Sequence, residues 1–183
     1  MTNPARNNRH ATLVTLIFAG AFPLTACDST ATPSPSLTAG AAAVALPEVE
    51  GFSYRPAGTA SSVFVDSATA TLEGVAEIEI VQAAVATRNE EEVLTIAFRF
   101  PGASDTESVD YMAQILDGLE DGFQAGSERT TDGDAFVIRT EEQTLVMAPW
   151  GRLAGGSELV FLFALGPHEA TEEVANGILN PAE

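Results

Sequence analysis

The run from Val75 to Phe100 reads VAEIEIVQAAVATRNEEEVLTIAFRF and decides the fold. Glu77-Ile78-Glu79-Ile80-Val81 alternates polar with apolar, the period of a half-buried strand. From Glu92 to Phe100 the alternation returns: Leu94, Ile96, Phe98 and Phe100 fall on one face, Thr95 and Arg99 on the other. Arg88-Asn89-Glu90 lies between as a turn. Two alternating runs with a short polar break predict an antiparallel β-hairpin.

Downstream, Pro101-Gly102 ends the second strand. Ser104 can cap a helix, and Glu107 stands three residues later, as in a capping box. Val109, Met112, Leu116, Leu119 and Phe123 recur at three- and four-residue steps, predicting an amphipathic helix over 106–124 that Gly126 stops. Three strands follow: Ala135–Thr140 after the Asp132-Gly133 turn, Thr144–Trp150 after the tight Glu141-Glu142 turn, and Leu159–Leu165. The last is apolar almost throughout, so it is covered on both faces or packed under a helix. Gly166-Pro167 opens a closing helix with Val174, Ala175, Ile178 and Leu179 on its buried side. Upstream, Ser62-Val63-Phe64-Val65 reads as a further short strand. The expected order is β-β-β-α-β-β-β-α: an α+β domain, two layers, with two helices mainly on one face of an antiparallel sheet.

The first 26 residues have a different character. Arg6, Arg9 and His10 precede an apolar run, Ala11–Ala26, too short to span a bilayer. Leu24-Thr25-Ala26-Cys27 closes it. This resembles the lipobox of bacterial lipoproteins, which implies cleavage before Cys27 and diacylglyceryl attachment to its sulfur. The expected division is a signal peptide over 1–26, a lipidated tether over 27–46, rich in Ser, Thr, Pro and Ala, and one globular domain over 47–183. Two or three acyl chains hold a protein stably on a membrane, here on the outer, extracytoplasmic face. Asp28 resembles an inner-membrane retention signal in proteobacterial lipoproteins.

Cys27 is the sole cysteine, so lipidation leaves no thiol for a disulfide, a nucleophile or a metal. All 26 acids lie after the signal peptide, with six of the eight arginines, and lysine is absent; the mature charge is −20. Phosphate backbones repel such a chain, which argues against nucleic acid as a partner. The composition looks like that of an actinobacterial protein. In element order the domain resembles the compact exported domains related to the photosystem extrinsic protein PsbP; no motif accompanies that likeness, and it assigns no residue a role.

Chemistry is sparse. His168, the one mature histidine, sits in the first turn of the last helix and reads as an exposed residue there. Asp132-Gly133-Asp134 and the Asp117/Glu120/Asp121 group supply carboxylates without EF-hand spacing. Gly151–Gly156 is glycine-rich and lacks a P-loop lysine. No cofactor and no metal is expected. Phe52, Tyr54 and Trp150 flank turns or the domain entry and are candidates for an apolar binding patch. The expectation is a non-catalytic surface lipoprotein that meets an envelope protein or a small ligand. Alternatives are an extracytoplasmic hydrolase using paired carboxylates and a small solute-capture protein.

Overall fold

A computed structural model describes residues 45–72, 77–122, 128–132, 135–152 and 158–180. Signal, lipobox and most of the expected tether, Cys27 included, lie outside them. Among the described residues three helices flank a seven-stranded, wholly antiparallel sheet. In chain order the elements are β1 (Ser53–Pro56), α1 (Thr59–Thr71), β2 (Glu79–Arg88), β3 (Glu91–Arg99), α2 (Asp105–Gly122), β4 (Glu128–Asp132), β5 (Ala135–Arg139), β6 (Thr144–Arg152), β7 (Leu159–Gly166) and α3 (His168–Leu179). The spatial order is β1-β2-β3-β7-β6-β5-β4.

The hairpin forms as its alternation predicts. Arg88 pairs with Glu91, so Asn89 and Glu90 make a two-residue loop. Both have positive φ, 48° and 72°, as the type I′ turn that matches strand twist requires. The capping box also forms: Ser104 N–H donates to Glu107 Oε2 at 2.9 Å, and Glu107 N–H faces Ser104 Oγ at 3.4 Å. Within that helix one stripe position differs. Val109 is 43% exposed, whereas Met112, Ile115, Leu116 and Leu119 are buried. Phe123 lies outside the described residues.

Residues 62–65 are not a strand. They lie inside α1, whose segment is rich in Ser, Thr and Val, poor helix formers. Tertiary packing overrides propensity. Phe64 and Ala68, four apart, enter the core, where the Phe64 ring centroid lies 5.2 Å from Phe98 and 4.7 Å from Phe163. The hydroxyls find local partners: Ser67 donates to Val63 O at 2.7 Å and Thr71 to Ala68 O at 2.7 Å. The expected order is corrected to β-α-β-β-α-β-β-β-β-α, with β1 and β4 added.

The helices also do not share one face. Phe98, Ile138, Met147, Phe161 and Phe163 pack under α1 and α2. The opposite face carries Ala86, Val93, Ala97, Val146, Leu162 and Ala164 beneath α3. The arrangement is therefore three layers, with β3 and β7 buried on both sides. Large rings fill the space under two helices, while alanines and valines let a single helix lie close. Gly166, at the end of β7, is hemmed in from both sides: a β-carbon there would stand 2.5 Å from Glu92 O of β3 and 3.1 Å from Thr171 Oγ1 of α3.

Candidate functional site

Helix α3 covers only the middle of its face. On the β1–β2 flank, a strap over residues 45–52 fills the space. Leu46, the last residue assigned to the tether, is 5% exposed and belongs to the core. Its N–H donates to Gln82 Oε1 at 2.7 Å. Val49 N–H donates to Tyr54 Oη at 3.0 Å, and Val49 packs against α3 where Gly177 has no side chain. Burial raises the Tyr54 phenol above its ordinary pKa, against the lowering effect of the Val49 amide and with a smaller push from Glu48.

On the other flank no described residue covers the face. A groove of about 380 Å³ runs between α3 and strands β5–β6. Ala135, Val137, Val146 and Ala148 form its floor, and their small side chains give it depth. Glu172 and Asn176, four apart on one side of α3, stand along its helical wall, and Asn180 at the C-cap continues it. Arg139 meets Glu172 Oε1 through Nε at 3.0 Å and a terminal nitrogen at 2.7 Å. Beyond β5, the register sets Glu128, Thr130 and Asp132 of β4 opposite Arg139, Val137 and Ala135. The volume lies within the range of ligand pockets. The floor is apolar and the wall offers hydrogen-bonding side chains, an arrangement that can hold and orient a polar occupant.

Comparison with protein-family models, curated proteins and solved structures gave no match for this chain.

The three aromatics singled out in the sequence share the α3 side of the sheet and make no common patch. Phe52 and Tyr54 belong to the strap flank, with Arg88 stacked 4.3 Å from the Phe52 ring centroid. Trp150 lies on β6 and donates its indole N–H to Ile178 O at 3.2 Å, satisfying a carbonyl of the last turn of α3. Strands β2, β3 and β7 stand between β1 and β6, a separation of roughly 19 Å at the usual strand spacing. All three act in packing.

His168 is engaged rather than exposed. Its Nδ1 lies 2.8 Å from Thr144 Oγ1 and its Nε2 3.2 Å from Glu141 O. A ring with the proton on Nε2 donates to that carbonyl and accepts from the threonine hydroxyl. The histidine thus clasps the β5–β6 turn to the start of α3. Among the described residues no group of three or more His, Cys, Asp or Glu could hold a metal ion. Positions 133 and 134 of the acidic turn and 153–157 of the glycine-rich loop lie outside them. No described helix is long and apolar enough to cross a membrane.

The groove itself escaped sequence reasoning. Its helical wall is visible as Glu172, Asn176 and Asn180 at four-residue spacing, but its floor appears only once β5 and β6 are known to extend past α3.

Proposed function

We propose that this chain is a lipid-anchored lipoprotein of the outer, extracytoplasmic face of a bacterial membrane, serving as a non-catalytic binding or accessory module. Its binding site is the groove between α3 and β5–β6. The observation that carries the binding reading is that groove: among the described residues, one flank of α3 is sealed by the strap and the other is left open over a small-residue floor. Support for the anchor comes from Leu24-Thr25-Ala26-Cys27 behind a basic head and a short apolar run. The lysine-free composition supports an actinobacterial origin.

Between Cys27 and the described strap lie residues 28–44, which reach at most about 60 Å fully extended. The domain would thus work within that distance of the bilayer. An occupant would be an envelope protein or a small ligand exposed at that surface.

Two measurements test the two halves. Radiolabelled palmitate should enter the wild-type chain and not Cys27→Ala, which should leave the membrane fraction. A photo-crosslinking amino acid at position 176 should trap a discrete adduct in cells, while the same group at position 110, on the α2 side of the sheet, should not. Label in the Cys27→Ala chain sinks the anchor; equal adducts at both positions, or none, sink the groove as the site.

A further inference from the structure

We infer that the groove takes an extended, basic polypeptide segment of a partner. This rests on the groove being a binding site and names the chemistry of its occupant. Two properties of the walls carry it. The first is spacing. Glu172 and Asn176 stand four residues apart on α3, a rise of about 6 Å, and Asn180 follows four further on at the helix C-cap. An extended chain repeats every two residues at about 6.6 Å. The match is close enough for successive peptide groups of a segment lying along α3 to meet successive wall residues. A carboxamide carries both donor and acceptor, so Asn176 and Asn180 present the complement of a backbone amide. No aromatic ring is among the groove's lining residues, so the stacking surface that a flat ring or sugar would use is missing from its described walls.

The second property is charge. Arg55, Arg88, Arg99, Arg139 and Arg152 are each in an ion pair, with Glu92, Glu173, Glu79, Glu172 and Asp105 respectively. These and Arg129 are all the arginines of the domain, which has no lysine, against all but one of the chain's 26 acids. Among the described lining residues the one guanidinium, that of Arg139, is held by Glu172. On the far side, the register positions opposite the floor strand are held by Glu128, Thr130 and Asp132. An anionic segment entering here meets net repulsion and a cationic one net attraction, an effect that acts within a Debye length and fades with salt.

The test uses the lipidated mature chain in non-ionic detergent, with empty micelles as blank, and fluorescent decapeptides that alternate alanine with arginine, serine or glutamate. Anisotropy should show the arginine peptide binding at least tenfold more tightly than the serine peptide, and the glutamate peptide not at all. Asn176→Lys with Asn180→Lys should weaken the arginine peptide at least tenfold. Asp66→Asn with Asp110→Asn makes the same change in net charge on exposed positions of the opposite face, and should change affinity less than twofold. If serine or glutamate peptides bind as well and lose affinity in the lysine pair, the basic occupant is refuted while the groove stands as a site. If both charge variants weaken binding alike, attraction is diffuse and the inference fails. If no peptide binds, it fails too, and crosslinking from position 176 then decides separately whether the groove binds anything.

Discussion

Val49 lies against Gly177 so closely that a β-carbon added to the glycine would stand 2.7 Å from Val49 Cγ2. The contact locks the strap to α3. In a helix interior, glycine to alanine ordinarily stabilises by about 1 kcal/mol. Here the added methyl must displace Val49. Gly177→Ala should therefore destabilise the wild-type chain and stabilise a Val49→Ala background. Urea midpoints of the four proteins measure the coupling, expected at about 1–3 kcal/mol. Additive effects would mean the strap does not bear on the helix.

The corrected helix stripe is tested by contrast. Phe98 is fully buried and its ring lies 5.2–5.7 Å from Phe64, Phe100 and Phe161. Phe98→Ala should cost about 3–5 kcal/mol. Val109→Ala, at an exposed site of α2, should stay within about 0.5 kcal/mol of wild type. A large loss at Val109 would restore it to the core.

Removing the His168 ring should tell through the group it leaves behind. Thr144 is fully buried, and its hydroxyl meets His168 Nδ1. His168→Ala strands that hydroxyl, at a cost of about 1–3 kcal/mol. Adding Thr144→Val should recover part of the loss. A thermal melt of each variant decides it.

Acid should weaken the front of α2. Hydrogen bonds from the Arg152 guanidinium, chiefly, hold Asp105 below its ordinary pKa; hydrogen bonds from the Ser104 hydroxyl and amide do the same for Glu107. A carboxyl lowered in the folded state stabilises fully above its unfolded value and ceases to as pH falls through the folded one. Stability should thus be level near neutrality and drop below the ordinary carboxylate range. Ser104→Ala, which removes the cap, should cost about 1 kcal/mol at pH 7. The gap between it and wild type should narrow in acid, read from denaturation midpoints at each pH. A gap independent of pH would separate the cap from Glu107 ionisation.

Local chemistry made some of this fold legible and left the rest dark. The β2–β3 hairpin, the capping box of α2, the β5–β6 hairpin, the doubly covered β7 and the buried side of α3 all follow from patterns within a dozen residues. Helix α1 does not: Ser62-Val63-Phe64-Val65 looks like strand until Phe98 and Phe163 give Phe64 a pocket at helical spacing. Strands β1 and β4 are short and polar, and exist because a neighbour pairs with them. Which face each helix chooses is set by volume, the rings on one side and the alanines on the other. That contrast is written in the alternation of Val93, Ala97 and Ala164 against Ile96, Phe98 and Phe163, but it acquires meaning only once β3 and β7 are side by side. The groove is less legible still, because it is a space that no described residue fills.

The strap has a mechanical consequence. It enters the fold through the Leu46–Gln82 hydrogen bond and leans on the helix at Gly177. A pull on the leading end would be delivered as shear to that helix, whose far side is the groove wall. Were the chain anchored and the groove filled as proposed, drag on the leash and grip on a guest would act on opposite flanks of one lever.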